Sequence, residues 1–319
     1  MARGVICTET AATAISDRLA EIGDFELIPI VGDAKLDDPA LSRAEVAFFS
    51  ADAYPERAVH VMRTLLNAPN LRWLHTFSTG VDHPVFGTFL DKGVRLTTSA
   101  GANARPIART AIMHLLALSR RLPSLIDAQR DHRWAPFTFD ELEGARVAVV
   151  GMGAIGLEVI RLAQALAMDV VGVRRSIAGD EPCETVSIDR LADVLPTVRA
   201  LVLAVPLMAE TTNPIDAAAI ASLPIGAYVV NVSRGEVIDE AALADALRRG
   251  RLGGAALDVF VEEPLPADSE VWDLPNTIVT PHSSGMTNQL PGRATDRFVE
   301  NLRRYVTGSA LVNEVRSSR

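Results

Sequence analysis

The chain has 319 residues, of which 48% are hydrophobic and 22% charged, and this composition is typical of a folded globular protein of about two domains. A formal net charge of −9 excludes the basic surface that nucleic acid or an anionic membrane requires, so the expected partner is a small molecule. The two cysteines lack metal-binding or disulfide spacing, and no signal peptide or long apolar run is present, which predicts a cytoplasmic protein with no bound metal.

Short apolar runs alternate with amphipathic stretches through the first hundred residues. The apolar runs include GVICT, FELIPI, EVAFFS and LRWLHTF, and the amphipathic stretches include AATAISDRLAEIG and PERAVHVMRTLLNA. Strands that alternate with helices in this way are typical of parallel βαβ units. We therefore predict that the N-terminal part forms a small α/β domain.

A helical pattern follows over residues 107–131, with one apolar face kept at helical spacing. A second series of apolar runs then begins at Val147 with VAVV and continues through DVVGV, ALVLAVP, AYVVNVS, GAALDVF and NTIVTP. Such runs are typical of buried parallel strands. A last helical stretch over residues 289–307 is expected to return the chain to the first domain.

The predicted architecture is therefore α/β, with one domain inserted into another. A doubly wound parallel-sheet domain of the Rossmann type spans residues 102–286. A smaller, flavodoxin-like α/β domain that binds substrate combines residues 1–101 with residues 287–319. Ligands of such sheets bind outside the carboxyl ends of the strands.

A glycine-rich turn joins the first strand and the first helix of the second series. In VAVVGMGAIG, Gly151 permits a tight turn, Gly153 allows a pyrophosphate to approach the backbone, and Gly156 allows close packing of helix on strand. The N–H groups at the start of the helix then bind phosphate, with Ala154 and Ile155 as further contacts. This arrangement predicts a dinucleotide site.

Arg174 stands at the end of the next strand, where a dinucleotide-binding chain usually carries an acid that binds the adenosine ribose. An acid would repel a 2′-phosphate, whereas Arg174, Arg175 and the Ser176 hydroxyl can bind one. We therefore predict NADP(H) in preference to NAD(H). A solvated basic turn is the alternative, because Lys35 and Lys92 are the only lysines and arginine is the usual cation of this chain.

Three later segments each follow a predicted strand and carry charged or titratable side chains. VVNVSRGEVIDEAAL contains Arg234, GGAALDVFVEEPLP contains Asp258 and Glu263, and NTIVTPHSSG contains His282. An arginine can hold a carboxylate and polarise the neighbouring carbonyl, a histidine can protonate the developing alkoxide, and a carboxylate keeps that histidine charged. The set suits reduction of a 2-keto acid, although each residue alone also fits an ordinary surface, loop or turn role.

These segments, together with VGMGAIG and AVPLMAETT, resemble the signatures of the D-isomer-specific 2-hydroxyacid dehydrogenase family over residues 101–285. The resemblance implies that Arg234 binds the substrate carboxylate and carbonyl, that His282 is the general acid/base, and that Glu263 orients and charges His282. It also implies that backbone N–H groups of the loop STGVD bind the substrate carboxylate. The substrate residues implied in that loop are Ser78, Thr79, Gly80 and Val81.

The resemblance further implies that Asp258 and the Val232 backbone face the nicotinamide carboxamide. Outside the glycine turn and the basic strand end, the implied cofactor residues are Val205, Pro206, Thr211, Val232, Asp258, His282 and Gly285. Members of the family are typically homodimers, and Trp134 matches a position that can reach toward the partner subunit. An ordinary packed tryptophan is the alternative.

The expected function is reversible, NADPH-dependent reduction of a small 2-keto acid to the D-2-hydroxy acid. The basic strand end matches the NADP-using branch, which includes glyoxylate and hydroxypyruvate reductases, so such substrates are favoured. Residues 107–109 read Ile-Ala-Arg where the family usually has Val-Ala-Glu, so no role is transferred to that glutamate. Alternatives are phosphite or formate oxidation on the same fold, although formate dehydrogenases usually carry Gln at the position of Glu263, and a non-catalytic dinucleotide-sensing corepressor.

Overall fold

The computed structural model describes residues 3–205 and 214–315, and Pro206 and Thr211 lie outside the described residues. The chain forms two compact units. Met1–Asn103 and Thr287–Arg319 belong to the first unit, and Ala104–Met286 forms the second. The second unit is thus an insertion in the sequence of the first.

The first unit contains, among its described residues, a five-stranded parallel sheet with the strand order β2-β1-β3-β4-β5. Its elements up to the insertion are β1 (Arg3–Thr8), α1 (Glu9–Ala20), β2 (Phe25–Ile30), α2 (Asp38–Arg43), β3 (Ala44–Phe49), α3 (Ala58–Leu66), β4 (Trp73–Thr76), α4 (Pro84–Asp91) and β5 (Arg95–Thr98). This strand order is that of a flavodoxin-like sheet. Local sequence explains the turns between elements: the Thr8 hydroxyl, for example, accepts the Ala11 N–H and so begins α1 directly after β1.

The second unit contains, over the part of it that is described, a seven-stranded parallel sheet with the order β12-β11-β10-β9-β6-β7-β8. Its elements are α5 (Ala104–Ser119), α6 (Leu122–Arg130), β6 (Arg146–Val150), α7 (Ala154–Ala165), β7 (Asp169–Arg174), β8 (Glu184–Ser187), α8 (Leu191–Val194), β9 (Ala200–Leu203), α9 (Ala217–Ser222), β10 (Ala227–Asn231), α10 (Glu240–Arg248), β11 (Leu252–Leu257) and β12 (Thr277–Val279). The strand order reverses between β6 and β9, as in a doubly wound sheet, and ligands bind at such a reversal. The predicted fold class is confirmed.

The last helix, α11 (Leu290–Val306), belongs to the first unit and packs against α1. The ring of Phe298 in α11 stacks on Phe48 of β3 with 4.6 Å between centroids, so the C-terminal helix closes the core on one face of the first sheet. The helix predicted over residues 289–307 is therefore confirmed.

The helical pattern over residues 107–131 is two helices in the structure, because the chain breaks between α5 and α6. Arg121 takes a left-handed backbone conformation with φ of 51°, and Pro123 stands in the first turn of α6. Proline lacks the N–H that a continuous helix needs and restricts the residue before it. The prediction of one helix over residues 107–131 is therefore wrong. It failed because the apolar residues keep their helical spacing across the break.

Over the described ranges, no helix is long and apolar enough to cross a bilayer, and no cluster of three metal-binding side chains occurs.

Candidate active site

The glycine-rich turn joins the end of β6 to the start of α7. Gly151 has φ of +98°, and a Cβ there would lie 2.5 Å from the carbonyl oxygen of Ala204. A Cβ on Gly156 would meet the carbonyl oxygen of Gly151. Both glycines are therefore required by the packing of the chain itself.

Gly153 differs from the other two glycines of the turn. Its backbone has φ of −79° and ψ of −168°, which any residue can adopt, and a Cβ there would meet no atom of the described residues within 4 Å. Among the described residues no side chain caps α7 at this end, so the first N–H groups of the helix, beginning at Ala154 and Ile155, have no side-chain partner there. The turn therefore fits a bound pyrophosphate, which would occupy the space that a side chain at Gly153 would fill.

Arg174 is the last residue of β7, and an acid that sequence reasoning missed lies beside it. Its Nη1 donates to Glu181 Oε1 at 3.2 Å, and the Glu181 carboxylate also accepts the N–H groups of Ala178 at 2.6 Å and Gly179 at 2.8 Å. The Ala178 hydrogen bond, with a contribution from Arg174, lowers the pKa of the Glu181 carboxyl, which is therefore ionised at neutral pH. The two other predicted phosphate residues follow in an exposed loop: Arg175 and Ser176.

His282 and Glu263 are hydrogen-bonded, with 2.7 Å between Nδ1 and Oε2. Partial burial raises the pKa of the Glu263 carboxyl, but the hydrogen bonds from His282 and from the Phe260 N–H outweigh burial and lower it. An ionised carboxylate can only accept a hydrogen bond, so Nδ1 carries a proton and Nε2 faces away from Glu263. The His282 side chain is 46% exposed, which leaves Nε2 within reach of a ligand.

The backbone of His282 is held in an uncommon conformation by Asp258. His282 has φ of 48°, and its N–H donates to the Asp258 carbonyl oxygen at 2.8 Å. The buried Asp258 carboxylate accepts the N–H groups of Ser283 and Ser284 at 3.0 and 3.1 Å and the Thr280 hydroxyl at 2.6 Å. Asp258 thus holds both sides of the turn that carries His282, a role that sequence reasoning did not assign to it.

Arg234 lies three residues beyond β10 and is positioned by Asn231. The buried Asn231 side chain donates through Nδ2 to the Arg234 carbonyl oxygen at 2.8 Å, and its Oδ1 accepts the Ser233 N–H at 3.0 Å. The guanidinium Nη1 donates to the Ser233 carbonyl oxygen at 2.6 Å. These bonds fix the turn at the end of the strand.

Gly235 packs the Arg234 turn directly against the segment that leads to Glu263. A Cβ on Gly235 would meet backbone atoms of Phe260 and Val261, so only glycine allows this approach. The charge of Arg234 also contributes to the lowered pKa of Glu263. The structure therefore brings Arg234, Glu263 and His282 together beyond the carboxyl ends of β10, β11 and β12. Three further predicted cofactor residues follow β9, β10 and β12 at this same edge: Val205, Val232 and Gly285.

The predicted substrate loop, residues 78–81, follows β4 in the first unit. The Ser78 hydroxyl donates to the Gly80 carbonyl oxygen at 2.8 Å and closes a tight turn. Within the described part of the chain, the backbone N–H groups of Thr79, Gly80 and Val81 donate no hydrogen bond. A run of unpaired N–H groups of this kind suits a carboxylate.

Comparisons with known proteins point to one enzyme family. The family model described as D-isomer specific 2-hydroxyacid dehydrogenase, NAD binding domain, matches residues 112–284. A glyoxylate/hydroxypyruvate reductase A of Arabidopsis thaliana is 31% identical over 250 residues, 77% of this chain and 79% of the relative. Glyoxylate/hydroxypyruvate reductase B of Pectobacterium atrosepticum is 31% identical over 285 residues, 87% of each chain.

A solved D-isomer specific 2-hydroxyacid dehydrogenase from Xanthobacter autotrophicus Py2, in complex with NADPH and MES, superposes with a TM-score of 0.80. It is 27% identical, over 99% of this chain and 98% of that chain. The chain therefore belongs to the D-isomer specific 2-hydroxyacid dehydrogenase family and is an NAD(P)-dependent oxidoreductase. The predicted family and enzyme class are confirmed.

Proposed function

We propose that the chain is a cytoplasmic reductase that converts a small 2-keto acid to the D-2-hydroxy acid with NADPH, and that glyoxylate or hydroxypyruvate is its substrate. The observation that carries the proposal is the hydrogen bond between Glu263 and His282 beside Arg234. The reductases of Arabidopsis thaliana and Pectobacterium atrosepticum support the substrate class.

The proposed reaction assigns one task to each side chain. A bound nicotinamide supplies the hydride that the keto carbon accepts. His282 Nε2 gives its proton to the keto oxygen, so that hydride and proton together form the alcohol. Arg234 binds the carboxylate and draws electron density toward the oxygen that receives the proton. Glu263 holds Nδ1 and keeps Nε2 directed at the substrate, and the open N–H groups of Thr79–Val81 offer carboxylate donors of their own.

The direct test is NADPH oxidation with glyoxylate, hydroxypyruvate, pyruvate, and branched and aromatic 2-keto acids. Arg234→Gln should lower kcat/KM for the preferred acid by about 100-fold, because a charged hydrogen bond contributes up to ~3 kcal/mol. The dissociation constant for NADPH, measured by fluorescence, should not change. The matched control is Arg249→Gln, which removes an exposed arginine paired with Asp245 on α10 and should leave both quantities unchanged.

Three results would contradict the proposed function or its assignment of residues. An unchanged kcat/KM in Arg234→Gln would remove the substrate role of that side chain. NADP⁺ reduction by phosphite or formate, without turnover of any 2-keto acid, would support the alternative hydride donors. Dinucleotide binding with no turnover of any of these compounds would instead support a non-catalytic sensor.

We propose that NADP(H) is preferred over NAD(H) through contacts of a 2′-phosphate with Arg174, Arg175 and Ser176. The position of Arg174 at the end of β7 and the NADPH complex of the Xanthobacter relative support this preference. Glu181 opposes it, because its carboxylate already shares Arg174 and adds negative charge beside the phosphate. The ratio of the affinities for NADP(H) and NAD(H) therefore depends on the opposing charges of Arg174 and Glu181.

Binding of 2′,5′-ADP and 5′-AMP by calorimetry tests this balance without turnover. Arg174→Ala should weaken 2′,5′-ADP binding about tenfold, by loss of a charged contact, and leave 5′-AMP binding unchanged. Glu181→Gln should tighten 2′,5′-ADP binding, because the amide keeps the side-chain volume but removes the charge. Arg161→Ala, an exposed arginine of α7 paired with Glu158, is the control. Equal weakening of both ligands in Arg174→Ala would contradict phosphate recognition.

We propose that the enzyme is a homodimer that buries an apolar surface of the second unit. Exposed apolar side chains cluster along α5, α6 and the segment that follows, and Trp134 among them is 95% exposed. The residues of this surface are Met113, Leu116, Leu122, Leu125, Ile126 and Trp134.

Sedimentation velocity tests the dimer. Leu125→Arg should shift a wild-type dimer to monomer, because the interface cannot bury an unpaired charge without a large cost. Val59→Arg, at a position of α3 in the first unit that is 72% exposed, should leave the dimer intact. A wild-type monomer at micromolar concentration, or a dimer unaffected by Leu125→Arg, would contradict the proposal.

A further inference from the structure

A buried chain of hydrogen bonds crosses the first sheet at His75 of β4. His75 Nδ1 lies 2.7 Å from Thr97 Oγ1, and His75 Nε2 lies 3.1 Å from Ser99 Oγ. The indole Nε1 of Trp73 donates to Thr97 Oγ1 at 2.9 Å, and Ser99 Oγ donates to the Thr76 carbonyl oxygen at 3.1 Å. All of these residues have no exposed surface. We call this chain of bonds, from Trp73 to Thr76, the His75 relay.

The partners determine the position of every proton in the His75 relay. The Thr76 carbonyl can only accept, so the Ser99 hydroxyl proton points at it and Ser99 Oγ accepts the Nε2–H of His75. A neutral imidazole has a single N–H, so Nδ1 accepts the Thr97 hydroxyl proton. The Trp73 indole can only donate, and Thr97 Oγ1 accepts from it. Each donor is thus paired, and the ring is the Nε2–H tautomer.

The surroundings of the ring keep it neutral. Burial, together with the nearby charge of Arg297, lowers the pKa of His75 to about 3. The rings of Phe48 and Phe298 have their centroids 5.7 and 5.9 Å from that of the imidazole, and the fully buried ring has no exposed surface at which solvent could stabilise a charge. The relay therefore keeps one arrangement of protons across the pH range of an ordinary assay.

Ser99 connects the relay to the substrate loop. Its hydroxyl holds the Thr76 carbonyl, and its N–H donates to the Ser78 carbonyl oxygen at 3.0 Å. The Thr76 hydroxyl lies 2.9 Å from Ser78 Oγ and accepts the Ser78 N–H at 3.3 Å. The carbonyls of Thr76, the last residue of β4, and of Ser78, two residues later, thus both accept hydrogen bonds from Ser99. The next three backbone N–H groups, those of Thr79–Val81, donate no hydrogen bond within the described part of the chain, as noted above for the substrate loop.

We infer that His75, acting through Ser99, is the positioning residue that holds the loop over residues 78–81 in the shape that binds the carboxylate of the 2-keto acid. The inference rests on the substrate role proposed above for that loop. Trp73, Phe48 and Phe298 surround the ring with aromatic side chains, an environment in which an apolar ring would also pack, so packing alone does not require a polar ring here. What the imidazole adds is a pair of oriented hydrogen bonds, of which the one at Nε2 leads through Ser99 to the loop.

Kinetics separate this positioning role from a purely structural one. His75→Phe keeps an aromatic ring, somewhat larger than the imidazole, and removes both hydrogen bonds. It should raise KM for the 2-keto acid about tenfold, the effect of losing the one neutral hydrogen bond that leads to the loop. KM for NADPH and kcat at saturating 2-keto acid should stay within about twofold, because no hydride or proton donor is touched. His75→Gln supplies one donor and one acceptor again and should restore KM.

Two further variants keep the inference testable if His75→Phe folds poorly. Ser99→Ala removes the last side chain of the relay and should raise KM for the 2-keto acid in the same way. Leu19→Ala removes buried apolar contacts of α1 in the same unit and should lower Tm without changing KM. An unchanged KM in Ser99→Ala, or an equal rise in Leu19→Ala, would overturn the inference.

Nuclear magnetic resonance tests the relay without substrate. The His75 ring should show a protonated Nε2 and a bare Nδ1 from pH 5 to pH 9, and the amides of Ser78 and Ser99 should exchange about tenfold faster in His75→Phe than in Leu19→Ala. Unchanged amide exchange would overturn the inference even if the wild type reduces 2-keto acids. Faster exchange in His75→Phe, combined with a wild type that reduces no 2-keto acid, would overturn the proposed function instead, together with the carboxylate assignment of the loop.

Discussion

The hydrogen bond between Glu263 and His282 is the interaction on which the candidate active site depends. It joins an ionised carboxylate to Nδ1, which leaves Nε2 as the nitrogen that can exchange a proton with a ligand. The surrounding structure holds both partners in place. Phe260 fixes the second carboxylate oxygen, and Asp258 holds the turn that carries His282 by its backbone. Because the histidine backbone has a positive φ, this turn forms only with such support.

The parallel sheet explains why these distant segments meet. β10, β11 and β12 are neighbours, and all their carboxyl ends lie at one edge, so residues that follow each strand share one site. Close backbone contact then sets the finer geometry. Gly235 lets the Arg234 turn touch the segment that leads to Glu263, and Gly151 and Gly156 let the dinucleotide turn pack tightly. At Gly153, by contrast, a Cβ would meet no atom of the described residues within 4 Å.

Much of this arrangement is predictable from the sequence because it follows from local pattern. Alternating strand and helix runs predict both sheets, and the placement of Arg234, Glu263 and His282 after buried strands predicts that they meet. The double task of Asp258 is not predictable, because hydrogen bonds to Ser283 and Ser284 follow from the turn geometry and not from spacing.

Glu181 and His75 show the same limit more clearly. Glu181 lies in a polar loop without a pattern, and only the fold of that loop turns its carboxylate toward Arg174. His75 is one polar residue in an apolar strand, which alone indicates a satisfied core histidine. Its partners Thr97 and Ser99 come from the neighbouring strand and the residue after it, so the relay exists only once β4 pairs with β5. The break before α6 is the opposite case. There Pro123 is a local sequence signal for the break, and it outweighs the apolar periodicity.

The most direct test of the account is the pH dependence of kcat/KM for 2-keto acid reduction in the wild type and in Glu263→Gln, with a deuterated-NADPH isotope effect showing that hydride transfer limits the rate. The account predicts that kcat/KM falls as pH rises, because reduction needs a proton on His282. In Glu263→Gln kcat/KM should be about tenfold lower over the same pH range, because a neutral amide oxygen accepts the Nδ1 hydrogen bond more weakly than a carboxylate does. Superimposable profiles, or a rate that does not depend on pH, would contradict the central role of the Glu263–His282 hydrogen bond.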